Sequence, residues 1–382
     1  MKPVYFDNAA TTQLRPEVID VMANVLKENY GNASSSHSFG RSSKSLIEKS
    51  RKSIANCLNV SAGEIIFTSG GTEADNLILN SAVRDLGVGH IITSRIEHHA
   101  VLHTVEALQE KYDIDVSFVD LDSKGNLDFN HLESLLQTET KTLVSLMHIN
   151  NEIGNITDIK YVATLCKANN ALFHSDAVQS VGHYNLDLQD IPVDFIAVAG
   201  HKFHGPKGVG FAFIRKNVGF IKPLIFGGEQ ERGLRAGTES VHNIAGLETA
   251  LKISYDKVEE ENEYVQELKT YFIDKIKEVL PGVVFNGESA NLEQSTYTLV
   301  NVCLPIAASK SAMLLFQLDL KGIACSRGSA CQSGSNKKSH VLSEILSDQD
   351  LNRPSLRFSF SIFNTKDEID YVISVLKEFT YN

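Results

Sequence analysis

Cysteine is scarce in this 382-residue chain, and its placement is uninformative as a framework. Cys57, Cys166, Cys303, Cys325 and Cys331 are odd in number and irregularly spaced, which argues against both a disulfide framework and the paired CxxC spacing of a zinc site. No stretch approaches the ~20 apolar residues of a membrane span. The opening MKPVYFDNAATT lacks the apolar core of a signal peptide, so a cytoplasmic protein that does not engage membranes is expected. Lys and Arg form no cluster and the net charge is -11; nucleic acid, whose phosphates call for such clusters, is not an expected partner. With 42% hydrophobic and 22% charged residues, disordered and collagen-like classes drop out.

What is present is a chain long enough for two or more substructures. Residues 16–28 open with a proline and carry apolar Val18, Ile19, Met22, Val25 and Leu26, the spacing of an amphipathic helix. A polar loop is expected over 32–38 and a second helix over 42–58. The run 64–68 reads as a strand that enters Ser69, Gly70, Gly71, Thr72 and Glu73, which open a helix through Ala82. Strand, glycine turn and helix N-terminus together make a phosphate cradle, because unpaired N–H groups and the positive helix end face one anion. The turn is neither GxGxxG nor GxxxxGK[ST], so nucleotide fingerprints do not fit.

Short apolar runs at 90–93, 116–119, 143–147, 171–174, 195–198 and 210–214, with helical segments between several of them, predict a mostly parallel sheet covered on both faces. Residues 241–279 are helical and charged. The rest mixes strand-like runs at 297–304 and 356–360 with helices at 311–319 and 366–378, the pattern of a smaller α+β domain. The expected division is an N-terminal segment 1–14, a large domain 15–255 and a small C-terminal domain 256–382.

The segment VAGHKFHGPKGVGF, residues 198–211, places Lys202 just behind a buried strand and before a glycine-rich turn, where an amine can form a Schiff base with a carbonyl. Asp176 ends the strand ALFHSD, followed by Gln179, and Lys202 is expected to end the next strand of the sheet. Both side chains can then emerge at the C-terminal edge where open α/β sheets bind ligands. An Asp opposite such a lysine is the pairing that pyridoxal phosphate requires, the carboxylate keeping the ring nitrogen protonated. Taken singly, Asp176 reads equally well as a turn residue and Lys202 as a solvent-facing one.

Over nearly its whole length the chain resembles the cysteine desulfurases, class V aminotransferase-like members of the fold-type I pyridoxal phosphate enzymes. The motifs run in order: YFDNAATT (5–12), TSGGTEADN (68–76), EHHAVL (97–102), NNEIG (150–154), HSDAVQ (174–179), GHKFHGPKG (200–208), QERGLRAGTES (230–240), RGSACQSG (327–334) and LRFSF (356–360). The resemblance implies an α/β fold and a homodimer. It implies that Lys202 carries pyridoxal 5'-phosphate as a Schiff base, that Asp176 pairs with the ring nitrogen and that Gln179 bonds the ring hydroxyl. His98 would stack on the ring and shuttle a proton, for which a near-neutral imidazole is suited. Asn151 would lie near the ring oxygen and the substrate. Gly71, Thr72 and His201 would hold the phosphate, and Thr238 would complete that cup from the partner subunit. Arg357 would clamp the carboxylate of the substrate, L-cysteine. From its residues alone Arg357 reads as the polar face of a strand, alternating with Phe358 and Phe360, and His99 as a surface residue at a helix start.

Cys331 sits among Ser326, Arg327, Gly328, Ser329, Ser333, Gly334 and Ser335, small polar residues that predict a mobile loop. Arg327, Lys337 and Lys338 would favour its thiolate. By the resemblance, this cysteine takes the substrate sulfur as a persulfide, releasing alanine, and passes it to an acceptor protein for iron-sulfur clusters, thiolated tRNA or a cofactor. Cys325 reads as a filler at a strand end. Three positions depart from the family pattern. Ala199 replaces a frequent serine and removes one phosphate donor. Glu229 replaces a frequent glycine, bringing a carboxylate near the phosphate cup. The chain also ends soon after its last helical run, where some relatives extend to dock an iron-sulfur scaffold. A selenocysteine lyase, another class V lyase or aminotransferase, or a cofactor-bound inactive scaffold are the other readings; no metal is expected.

Overall fold

The computed structural model describes residues 3–306, 311–328 and 338–381. Strand β1 (Val4–Tyr5) precedes helices α1 (Pro16–Glu28) and α2 (Ser38–Cys57). There follow β2 (Ile65–Thr68), α3 (Gly71–Arg84), β3 (His90–Thr93), α4 (His99–Tyr112), β4 (Asp115–Phe118), α5 (Phe129–Leu135), β5 (Thr142–Ser145) and α6 (Ile159–Ala168). Then come β6 (Leu172–Asp176), β7 (Phe195–Ala199), β8 (Gly210–Ile214), α7 (Val241–Asp256) and α8 (Val258–Val279). Among the described residues, β2 to β8 form a seven-stranded sheet in the order β2-β8-β7-β6-β5-β3-β4, in which β8 alone runs antiparallel to its neighbours. The mostly parallel sheet expected from the alternating runs is therefore present.

Side-chain alternation explains why these runs are continuously apolar. In β7, Phe195 and Ala197 join the core beneath α3 and α4, while Ile196 and Val198 join the opposite core beneath α1, α2, α6 and α7. A strand covered on both faces needs apolar residues at every position, so it loses the polar alternation of a half-exposed strand.

The remaining elements are β9 (Val284–Phe285), β10 (Leu299–Cys303), α9 (Ser311–Leu320), β11 (Ile323–Ala324), α10 (His340–Ile345), α11 (Asp348–Leu351), β12 (Ser355–Ser359) and α12 (Lys366–Tyr381). Their antiparallel sheet, β12-β10-β9, packs with α8 and α12 around Phe272, Phe358 and Phe360. The N-terminal segment joins this part of the molecule: β1 pairs in parallel with β11, Asp7 bridges to Ser359, and Val4 and Phe6 are buried in the same core.

Two local expectations are corrected. Helix α2 begins at Ser38 rather than 42, because the His37 ring accepts a hydrogen bond from the Gly40 amide (3.3 Å) and caps it. Gly40 is required there, since a Cβ would lie 2.4 Å from the Ser35 carbonyl. Lys202 does not end β7 but closes one 3₁₀ turn, Gly200–Lys202, beyond it.

A buried ion pair fixes the loop that carries Thr238. Arg51 of α2 donates to both oxygens of Glu231 (2.6 and 2.7 Å), and Glu231 also accepts the Phe67 amide of β2 (2.9 Å). Both side chains are 3% exposed. Glu231, Arg232 and Gly233 all have left-handed backbone (φ 46°, 58° and 78°), a conformation that strains non-glycine residues and persists only when its surroundings enforce it. Removing one partner of such a pair leaves a charge buried alone. Glu231→Ala is therefore expected to destabilise the protein by about 3–5 kcal/mol in chemical denaturation; a loss below ~1 kcal/mol would show that the pair does not anchor the loop.

Candidate active site

The turn after β7 is shaped by glycine. The Gly200 amide reaches the Val209 carbonyl and the Gly205 amide the Gly200 carbonyl, both at 3.0 Å. A Cβ on Gly205 would lie 2.8 Å from that oxygen. The turn aims Lys202 beneath the N-terminal segment, where its Nζ donates to the carbonyls of Ala9 (2.6 Å) and Ala10 (2.9 Å). Thr12 seals the same junction, its hydroxyl accepting the His204 amide (2.7 Å) and donating to the His201 carbonyl (3.0 Å).

Asp176 ends β6 beside β7, in register with Ala197. Its Oδ1 accepts the Val178 amide (2.9 Å). Burial lifts its pKa to about 6, against the pull of the Val178 amide and the Lys202 ammonium. Two further carboxyls lie buried nearby. Asp75 of α3, 3.4 Å from His174 Nε2, is pushed well above the usual range by burial and by the Asp176 and Glu97 charges. Glu97 is raised by burial as well, although it accepts the Met147 amide (2.9 Å). Burial thus disfavours ionisation at all three carboxyls, and the Lys202 ammonium favours the carboxylate of Asp176. Gln179 is fixed by its own bond to the Ala9 carbonyl (3.0 Å).

Lys202, Asp176, Gln179, Gly71, Thr72, His98, Asn151, His201, Ala199 and Arg357 line one cleft of ≈ 750 Å³, its open mouth included. All the expected cofactor and substrate residues except Thr238 and Cys331 are thereby brought together. Pyridoxal phosphate suits this donor set. At one end, no side chain caps the N-terminus of α3 at Gly70, so its first amides face the anion end of the cleft beside Thr72. His201 contributes a buried Nδ1 with no hydrogen-bond partner among the described residues. At the other end stand the amine and the carboxylate that an aldehyde and a pyridine nitrogen call for.

His98 caps α4, its Nδ1 accepting the Ala100 amide (3.1 Å), which places the ring proton on Nε2. The expectation of a near-neutral imidazole is corrected: burial, Lys202 and two neighbouring histidines push His98 down to about 4. His99 is likewise no plain surface residue, since its ring lies 4.3 Å from that of His340 and 4.8 Å from that of His103.

Arg357 is 1% exposed, so it is not the outer face of a strand. Its Nη1 donates to the Asn151 carbonyl (2.7 Å) and its Nη2 to Asp7 Oδ1 (2.9 Å). Asp7 orients the guanidinium and was not evident in the sequence. Neither were Asp75, Glu97 and the Ala9 and Ala10 carbonyls; all of them lie inside the motifs, but nothing local marks their contacts. Thr238 is exposed and does not line this cleft. Glu229 is also exposed, directed into solvent. Cys331 lies outside the described residues. Burial raises the thiols of Cys57 (to about 11), Cys166, Cys303 and Cys325, so among the described residues no cysteine is poised as a nucleophile.

The family model of the class-V aminotransferases matches residues 4–372. A curated relative, cysteine desulfurase IscS of Dictyoglomus turgidum, is 40% identical over 378 residues, 98% of this chain and 94% of its own. A solved structure of a NifS-like protein superposes with a TM-score of 0.89 at 36% identity, covering 98% of each chain. A second, described as SspA in complex with cysteine, has a TM-score of 0.82 at 30% identity and covers 95% of this chain and 100% of its own.

Two outcomes follow from the cleft. Ala199 is buried at its wall and brings only a methyl group beside Gly71. Ala199→Ser adds a hydroxyl there, and pyridoxal phosphate is expected to bind at least about fivefold more tightly, the effect of ~1 kcal/mol; an unchanged Kd in equilibrium titration of the apoprotein would rule that hydroxyl out as a phosphate donor. The second concerns pH. His98, His99, His148, His183 and His201 are pushed down to about 4, and His174 and His204 to about 3, in each case chiefly by burial. Unfolded imidazoles protonate first, near 6.5, so this stability is complete above that pH and is lost as pH falls toward 4. The raised carboxyls of Asp75, Glu97, Asp176 and Asp194 act in the opposite sense, but they are outnumbered. Tm is expected to fall progressively between pH 6.5 and 4.5, and a flat Tm across that window would contradict it.

Proposed function

The chain belongs to the aminotransferase class-V family, and from that premise we propose that it is a pyridoxal phosphate-dependent cysteine desulfurase. It converts L-cysteine to L-alanine and passes the sulfur to Cys331 as a persulfide. The observation that carries this reading is the convergence of Lys202, Asp176 and Arg357 on one cleft with an uncapped helix N-terminus at its end. When bound, pyridoxal phosphate supplies an electron sink for the bonds at the substrate α-carbon.

The chain's own groups do the rest. Gly71, Thr72 and His201 would hold the phosphate end, Gln179 the ring hydroxyl, and Asp176, ionised above pH 6, would keep a proton on the pyridine nitrogen. Lys202 anchors the cofactor and its amine moves the α-proton. His98, neutral at working pH, would lie against the cofactor ring with its Nε2 proton available. Arg357 binds the substrate carboxylate, and Asn151 lies beside it. The Cys331 thiolate attacks the substrate sulfur: an S–S bond forms, the C–S bond breaks, and its electron pair stays with the three-carbon fragment, which takes up protons to become alanine. The balance is L-cysteine plus thiol to L-alanine plus persulfide, with no external oxidant.

The persulfide then goes to an acceptor protein in iron-sulfur cluster, tRNA thiolation or cofactor pathways. A cytoplasmic homodimer is part of the reading. Thr238 is exposed in a loop near the outward-facing Phe226 and Ile225, which suits a residue that completes the phosphate cup of the partner subunit. The division at about residue 255 into a large cofactor domain and a small domain bearing Cys331 belongs to the same proposal.

One assay tests it. The purified parent is expected to show visible cofactor absorbance and to release alanine and sulfide from L-cysteine in the presence of a thiol. Lys202→Ala should lose the borohydride-reducible lysine adduct, and Cys331→Ser should lose at least about 100-fold in alanine release. Full L-cysteine activity in Cys331→Ser would refute the persulfide step, and a colourless parent that gains no absorbance with pyridoxal phosphate would refute the enzyme.

A further inference from the structure

The two stretches that flank residues 329–337 meet on one buried carboxyl group. Glu152, fully buried, sits in a tight turn in which Asn150 Oδ1 accepts the amides of Glu152 and Ile153 (2.9 and 3.0 Å) and Asn301 Nδ2 donates to the Glu152 carbonyl (2.9 Å). Its Oε2 accepts the hydroxyl of Ser339 on one flank. On the other flank, Gly328 (φ 77°) lies so close that a Cβ there would be 3.0 Å from the same oxygen. Its second oxygen, Oε1, has no hydrogen-bond partner among the described residues. A buried carboxyl left half unpaired is unfavourable as packing alone, which points to a role in placing what it holds.

Both flanks are also tied to the substrate arginine. Ser326 donates its hydroxyl to Asp7 Oδ1 (2.7 Å), the oxygen that receives Arg357, and Ser326 and Arg357 exchange main-chain hydrogen bonds (3.2 and 2.7 Å). Arg357 reaches the carbonyl of Asn151, next to Glu152. Beyond Ser339, His340 donates to the Glu97 carbonyl (2.9 Å) and packs on His99. The Asn151-Glu152 pair thus takes the guanidinium with a carbonyl and gathers the flanks with a side chain.

We propose that Glu152 is a positioning residue: its carboxylate holds Ser339, with Gly328 packed close to the same oxygen, and this hold governs the reactivity of the Cys331 thiol. The clamp stands on the geometry above, while its consequence for sulfur transfer rests on the desulfurase reading. The test uses the full-length holoprotein and follows Cys331 alkylation by iodoacetamide, with peptide mass spectrometry and Cys166 as internal reference, alongside first-turnover alanine release. Glu152→Ala is expected to speed Cys331 alkylation at least about threefold, as freed flanks open more often. It should slow the first turnover at least about tenfold, with the visible spectrum of the bound cofactor unchanged. Glu152→Gln keeps an acceptor oxygen for Ser339 and should recover most of both. Ser339→Ala should reproduce Glu152→Ala, and Ser339→Thr, which keeps the hydroxyl, should match the parent. If Glu152→Ala does not fold, the Ser339 pair decides. Parent-like alkylation and turnover in Ser339→Ala and in any folded Glu152→Ala would overturn the clamp. Faster Cys331 alkylation in Glu152→Ala than in the parent, with no alanine released by the parent, would leave the clamp standing and remove the desulfurase reading instead.

Discussion

The lysine ammonium held by two main-chain carbonyls from the other end of the chain is the interaction on which the site depends. Lys202 is bonded to Ala9 and Ala10, residues more than 190 positions earlier, and those carbonyls are in place only because the N-terminal segment is fastened elsewhere. Strand β1 pairs with β11, Asp7 receives Arg357 and Ser326, the Ala9 amide donates to Ser359 Oγ (2.8 Å), and Thr12 closes over His204. Six residues, 7 to 12, therefore touch the Lys202 amine, the Arg357 guanidinium and Ser326. Carbonyls orient an ammonium through hydrogen bonds without adding a second full negative charge, so the nearby carboxylate of Asp176 remains free for a cationic ring nitrogen.

Charge in the cleft is set by what is denied ionisation as much as by what is allowed it. Three carboxyls and several imidazoles are packed into a region with little solvent, where each ion raises the energy of the next. Burial pushes Asp75 and Glu97 toward their neutral acids and the histidines toward their neutral bases, while Asp176, Lys202 and Arg357 bring charged groups to the cleft. The anion end is served instead by the uncapped amides of α3, which carry no full charge. The near-neutral His98 expected from its sequence fails for the same reason: an imidazole beside a buried ammonium holds its neutral form well below 6.5.

The sequence makes the scaffold legible where a signal is local. Continuous apolar runs marked the strands of the large sheet, and a strand followed by Ser69-Gly70-Gly71-Thr72 marked the anion end of the cleft, because both follow from backbone chemistry within ten residues. The start of α2 was missed because its cap is a histidine, outside the usual Ser, Thr, Asp and Asn set. Arg357 was ambiguous for a different reason. Arg357, Ser359 and Ser361 alternate with Phe358, Phe360 and Ile362 as in a half-exposed strand, yet every residue of β12 is buried. The covering layer is the N-terminal segment, some 350 residues away in sequence, and no periodicity reports a lid supplied from that distance.

The same separation links parts of the cleft wall that are far apart in sequence. Arg357 is joined through Asp7 to Ser326 and through the Asn151 carbonyl to the residue that holds Ser339, so the guanidinium that lines the cleft shares one hydrogen-bonded frame with both serines. Ser326 and Ser339 are both held on that frame, so a change at Asp7, Glu152 or Arg357 is felt at the others through shared hydrogen bonds. The frame is itself built by two distant parts of the chain, the N-terminal segment and β12, which bond to each other at Asp7, Ala9 and Ser359, so neither is placed without the other.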